Sequence, residues 1–225
     1  MFYTYRPLQK DEFIIAFADV AAGGDDYCAV QFLSQKWLDI PLVYHAQVTG
    51  SYMTPLIHQK MTEIGKQTGI SPIVAFETNN GGNFEMDRLA RLNRYGDYRI
   101  YTMKNLDPTG RLVDTGKYGF NTNMATRPKM LQDLKDAIEG RMLHLYHKQT
   151  VNEMFSFIIA PSGKPEAEKG AHDDLVMALA GVWQLYQTEQ PMKEQGGGVV
   201  ETDESRGMYK EAGVLYANDY NEYTQ

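Results

Sequence analysis

With 225 residues, 43% of them hydrophobic, the chain can bury a full core and fits one domain with an appendage. The net charge of −7 weighs against a nucleic-acid partner on a global count, no apolar run is long enough to span a membrane, and the N-terminus lacks the charged-then-apolar pattern of a signal peptide. The single cysteine, Cys28, excludes an internal disulfide and a cysteine-based zinc site within one chain, and its strand setting fits a small buried apolar residue.

Residues 1–12 read as a polar lead-in with no clear period. Phe13 to Val20 then reads as a central strand, apolar on both faces and carrying one charge, Asp19. Alternation puts Asp19 on the face of Phe13, Ile15 and Phe17, and a carboxylate there is costly unless something pairs with it. Residues 21–26 compose a turn. Asp25 and Asp26 within it fit turn residues better than ligands. Tyr27 to Leu33 and Leu38 to Gln47 read as two further strands, so the opening is an antiparallel meander.

From Ser51 the rhythm changes. Leu56, Ile57, Met61 and Ile64 recur at helical spacing up to the stop at Gly69. Pro72 to Glu77 is a short buried strand ending in a carboxylate. Asn79 to Gly82 form a turn, Asn83 to Tyr95 a helix, and Tyr98 to Met103 another strand. Helix, strand, helix, strand implies parallel pairing through right-handed crossovers.

Between Asp107 and Asn121, Arg111–Val113 and Lys117–Phe120 flank Asp114-Thr115-Gly116, which predicts a small hairpin turning there. Arg127 to Gly140 is a helix with Met130, Leu131, Leu134 and Ile138 inward. Leu143 to Tyr146 is a short strand candidate, and Val151 to Ile159 fits helix or strand. Pro161 to Gly170 reads as a polar loop, and Ala171 to Gln187 as a strongly apolar helix. Residues 191–225 are Gly-rich and acidic, a tail expected to be mobile or partner-bound. No internal repeat is found.

Charge is unevenly spread. Arg88 to Lys148 holds 12 Lys+Arg against 6 Asp+Glu, a basic middle in an acidic chain. Such a stretch can face phosphates or simply solvate helix surfaces. The acidic points are Asp19, Glu77 and the His172-Asp173-Asp174 run. A parallel strand beside the first brings Glu77 near Asp19. Asp174, Ala178 and Gly181 share one helical face, and the two small residues let the backbone press against the sheet, holding Asp174 against Asp19. Converging carboxylates repel one another unless divalent cations lie between them, and oxygen-only ligands favour Mg²⁺ or Mn²⁺. Two such ions about 3.5–4 Å apart can activate a water and stabilise a leaving oxygen in phosphodiester cleavage.

Asp19 on strand one, F-E-T-N-N-G-G around Glu77, G-F-N-T-N-M-A-T-R-P-K-M at Gly119 to Met130, and H-D-D-L-V-M-A-L-A from His172 occur in an order that resembles the nuclease domain of tailed-phage large terminase subunits. The likeness runs from about Glu12 to Gln187. It implies an α/β, ribonuclease H-like (resolvase-like) fold: a mixed central sheet, antiparallel meander followed by parallel strands, with helices on both faces over residues 13–190. It implies a metal-dependent endonuclease cutting concatemeric double-stranded viral DNA during genome packaging, in the host cell cytoplasm. By position, Asp19, Glu77 and Asp174 are the metal ligands, with Asp19 bridging two Mg²⁺ or Mn²⁺ ions. Asp173 is a fourth ligand, and His172 sits near the scissile phosphate. The Arg111–Phe120 segment resembles the accessory hairpin bordering the DNA path, so Lys104, Arg111, Lys117, Arg127 and Lys129 are DNA-contact candidates, while Arg88, Arg91 and Arg94 fit solvent or phosphate equally.

One departure stands out. Gly65-Lys66, Gly116-Lys117 and Gly163-Lys164 are each followed by the wrong residue for a phosphate-binding G-x-x-x-x-G-K-[ST] loop. The resemblance therefore implies the nuclease part of a large terminase without its ATPase part. Its expected partners are that ATPase domain, the small terminase subunit and the portal protein. Two other readings stay open: a ribonuclease H-like junction resolvase or transposase-type nuclease, and a non-catalytic packaging-motor assembly module.

Overall fold

The structure is a computed structural model describing residues 1–21, 23, 26–79, 81–159, 165–167 and 172–189. Asp25, Asn80, Ala171 and the tail at 191–225 lie outside the described residues.

A six-stranded mixed sheet forms the frame. Its strands are β1 (Phe2–Thr4), β2 (Ile14–Asp19), β3 (Cys28–Ser34), β4 (Asp39–Ala46), β5 (Ile73–Phe76) and β6 (Arg99–Ile100), in spatial order β1-β4-β3-β2-β5-β6. β2, β3 and β4 are the expected antiparallel meander, and β5 and β6 join in parallel. Helices cover both faces. Ile14, Ala16, Ala18 and Val20 pack with Met53, Ile57 and Met61 of α1 (Gly50–Thr68) and Met86 and Leu89 of α2 (Gly82–Leu92). Phe13, Ile15 and Phe17 pack on the other face with α3 (Thr126–Glu139) and α5 (Asp174–Thr188). β2 is thus buried on both sides, as its apolar run requires.

Four expectations are corrected and one open reading is resolved. The lead-in contains an element: Phe2–Thr4 pairs with Leu42–Tyr44, a partnership set forty residues away. The hairpin turns elsewhere. β7 (Thr102–Leu106) pairs with β8 (Leu112–Tyr118), so the turn is Asp107–Arg111, stitched by Asp107 accepting the amides of Thr109 and Arg111. Asp114-Thr115-Gly116 lies inside β8, where the register shifts and Gly116 takes a φ of 71°. The ambiguous 151–159 stretch divides into α4 (Lys148–Phe155) and β9 (Phe157–Ile159). Within the expected polar loop, β10 (Pro165–Ala167) pairs antiparallel with β9. Leu143 to Tyr146 contributes only a bridge from His144 to Asp39.

The α5–β2 contact depends on a missing side chain. A Cβ at Gly181 would lie 2.4 Å from two Phe17 ring carbons. Gly181→Ala is therefore expected to cost about 1–3 kcal/mol by overpacking, read as a lower urea midpoint, with Phe17→Leu in the same chain recovering part of the loss. A gain of about 0.5–1 kcal/mol, the usual return for removing an exposed helical glycine, would contradict the close packing.

A second expectation concerns acid stability. Burial, then His147, the N-terminal ammonium and His172, push the His45 imidazole down from 6.5 to about 4. Its ring stacks on Tyr27, and its Nε2 is buried without a partner. A depressed folded pKa means the unfolded chain takes up the proton first. The contribution is full above pH 6.5 and is lost as pH falls toward 4. In urea titrations from pH 7 to 4, His45→Phe should lose less stability on acidification than the parent, by about 2–3 kcal/mol. Parallel pH profiles would refute it.

Candidate active site

The site forms at the C-terminal end of β2, and pairing fixes its members in turn. β2 and β5 run parallel with Ala18 opposite Phe76, and the Glu77 amide donates to Ala18 O at 2.8 Å. Glu77 therefore emerges beside Asp19. A bridge from Glu77 to Phe120 holds its other side, and Asn79 Nδ2 donates to Glu77 Oε1 at 2.9 Å. The same Asn79 nitrogen donates to the Thr122 carbonyl, tying the β5–α2 turn to the β8–α3 segment. Gly82 permits the turn: a Cβ there would lie 1.7 Å from the Glu77 carbonyl oxygen. Asp174 arrives as the first residue of α5, brought down by the Gly181–Phe17 contact.

These groups line one cleft of about 540 Å³. Asp19, Asp26, Glu77, Asp173 and Asp174 supply carboxylates to its wall, and Asn79, Asn123, Met124 and Arg127 complete the rim. Crowding shows in the acid–base behaviour. Burial, followed by Glu77 and Asp174, holds the Asp19 carboxyl well above its ordinary value, and a hydrogen bond shared with Glu77 adds to the rise. Burial, then Asp173, pushes Asp174 up to about 6, against the opposing pull of His172. The Asp174 Oδ2 atom is shut from solvent with no hydrogen-bond partner, and His172 Nδ1 stands 3.6 Å away.

Among the described residues, no lysine or arginine forms an ion pair with Asp19, Glu77 or Asp174. Asp173 differs. Its Oδ2 is held by Arg127 Nη2 at 2.5 Å, so the arginine predicted as a DNA contact and the carboxylate predicted as a fourth ligand are paired with each other. His172 is exposed and edge-on to Tyr27, and it is not among the residues lining the cleft. Among the DNA-contact candidates, Lys104 is tied to Glu189 and Lys129 to Asp133, while Arg111 and Lys117 are exposed on the β7–β8 hairpin.

The donor set is oxygen-only, which suits hard divalent cations, and the orphaned Asp174 oxygen lacks the partner that a buried carboxylate needs. No three of these side chains among the described residues are already gathered as a finished ligand set. The fit therefore lies in donor chemistry and mutual repulsion. Sequence reasoning passed over Asn79, which was placed only in a turn, and favoured a turn role for Asp26, which the fold brings to the cleft wall.

No protein-family model matches the sequence, and no curated protein does. Solved structures share the fold. The large terminase nuclease domain of Thermus phage P74-26 is similar with a TM-score of 0.54 and 17% identity, over 84% of this chain and 85% of that one. The large terminase nuclease of thermophilic phage G20c, with bound magnesium, is similar with a TM-score of 0.54 and 18% identity, over 80% and 84%. The human cytomegalovirus terminase nuclease domain, manganese-soaked, reaches 0.52 and 11%, over 77% and 83%. The architecture is the ribonuclease H-like one of terminase nuclease domains.

Proposed function

We propose that this chain is an endonuclease of the large-terminase kind, cutting concatemeric double-stranded DNA in a viral packaging motor within the host cytoplasm, with two divalent cations, Mg²⁺ or Mn²⁺, as cofactors. The observation that carries this is the convergence of Asp19, Glu77 and Asp174 on one cleft with no cationic side chain paired to any of them among the described residues. The terminase nuclease domains that share its fold support the reading.

Bound cations would supply a lowered pKa for an attacking water and a counter-charge for the departing 3′ oxygen. The chain's own part is placement. Asp19, Glu77 and Asp174 would together hold the ions. Asn79 orients the Glu77 head group through Oε1. Arg127 lines the cleft, and its guanidinium would meet a phosphate oxygen when a duplex enters. Exposed Arg111 and Lys117 on the hairpin would meet backbone phosphates beyond the cleft, which gives little sequence preference. The ATPase domain, small subunit and portal of such a motor are the proposed protein partners.

Supercoiled plasmid incubated with the protein is expected to be nicked and linearised in Mg²⁺ or Mn²⁺. Excess EDTA should abolish cutting, and the rate should fall steeply between about 50 and 200 mM salt. Plasmid left intact under every cation condition overturns the proposal.

A further inference from the structure

α5 begins without its own cap. Asp173 stands at the N-cap position yet makes no capping hydrogen bond with its side chain, because Arg127 holds that carboxylate. The first amides of a helix need acceptors from somewhere. At Leu175 the acceptor comes from another element: Glu153 Oε2 of α4 takes the amide N–H at 2.9 Å, and the Val176 amide also faces this carboxylate. The Leu175 carbonyl is gripped as well, by Gln31 Nε2 of β3 at 3.2 Å. Gln31 Nε2 also donates to Thr150 Oγ1 at 3.0 Å, and that hydroxyl meets His147 Nδ1 at 2.9 Å. The network is closed off from water, with Gln31 at 0%, Thr150 at 1% and Glu153 at 7% exposure.

We propose that Glu153 and Gln31 are positioning residues for Asp174, because they clamp the N–H and C=O of the adjoining Leu175 and so fix the direction in which the Asp174 carboxylate enters the cleft. The inference rests on the cation-binding reading above. The Leu175 N–H belongs to the peptide plane that begins at the Asp174 Cα, so turning that plane turns the ligand. An apolar core would hold α5 without any of these groups, and burying a glutamate, a glutamine and a threonine is costly unless they order something. What they order lies one residue from Asp174. Partners of this kind, behind a ligand, commonly change metal affinity 10- to 100-fold.

The test uses the full chain and Mn²⁺ alone, titrated by calorimetry, with amide hydrogen exchange over the start of α5 as a second readout. Glu153→Ala and Gln31→Leu are expected to weaken Mn²⁺ binding about 10- to 100-fold. Exchange at Leu175 should speed up in both. Glu153→Gln, whose amide oxygen can still accept the Leu175 N–H, should recover most of both. Should Glu153→Ala fail to fold, Gln31→Leu and Glu153→Gln still decide. Variants that melt earlier in chelator but bind Mn²⁺ as the parent does overturn the positioning role while leaving the cation site standing. A parent that binds no Mn²⁺ overturns the cation reading, and this inference with it.

Discussion

Replacing Asp19 with asparagine is expected to abolish plasmid cleavage, lowering the rate at least about 1,000-fold, and to leave the fold intact. The magnitude follows from the charges involved: losing a single group that stabilises developing charge in a transition state commonly costs 100- to 1,000-fold, and Asp19 is the most deeply placed of the carboxylates proposed to hold the cations. The second half of the expectation is less usual. Asp19 is ringed by Glu77 and Asp174, and burial already holds its carboxyl in the protonated direction. Removing that charge removes repulsion, so in chelator the variant should melt at or above the parent temperature. Added Mg²⁺ should then separate the two. Saturation at 100 times Kd stabilises a folded protein by about 2.7 kcal/mol, and only the parent should show it. A variant that cuts plasmid at the parent rate, or gains the same stability from Mg²⁺, removes Asp19 from the centre.

The contrast between what pattern reveals and what it hides runs through particular residues. β2 was legible because both of its faces are apolar and Asp19 is the single exception. The small face of Ala178 and Gly181 was legible because helical spacing puts both above Asp174, and the Phe17 contact bears it out. The fate of the cations was not legible. Arg127 meets Asp173 across 46 positions and Lys104 meets Glu189 across 85, and no local spacing encodes such pairs. A Lys or Arg count marks where positive charge is placed along the chain, not whether a carboxylate has taken it. The hairpin error has a related cause. Asp107–Gly110 and Asp114–Gly116 are both turn-forming by composition, and the choice falls to whichever lets Thr102–Leu106 find a continuous partner. β1 is too short to show a period and exists only because β4 offers it an edge.

The largest stability loss is expected at the opposite end of the sheet, from Arg6→Met. Arg6 answers two buried carboxylates at once. Its Nε and Nη2 bond Asp39 at 2.6 and 2.7 Å, and its Nη2 and Nη1 bond Glu12 at 2.5 and 3.2 Å. Glu12 is 0% exposed and Asp39 2%. Burial by itself would raise the Glu12 carboxyl. The Arg6 hydrogen bond, the Gln9 amide and Ser34 more than reverse that, so it sits below its ordinary value. A depressed carboxyl stabilises the fold above its unfolded pKa and loses that contribution as pH falls through the folded one. Methionine keeps much of the stem and removes the charge, leaving two carboxylates without a cation, a situation that commonly costs about 3–5 kcal/mol. The Glu12 carboxyl, relieved of the Arg6 hydrogen bond, should then titrate above its parent value, so the gap between variant and parent should narrow from pH 7 toward pH 4.5. Adding Glu12→Gln should recover part of the loss. Asp39 pairs with Ser34, which faces the start of β2, about 17 Å along the strand from Asp19. Mn²⁺ affinity measured well below the variant's melting temperature should therefore match the parent. A loss under about 1 kcal/mol in urea unfolding at pH 7 would mean that water, not Arg6, answers these carboxylates.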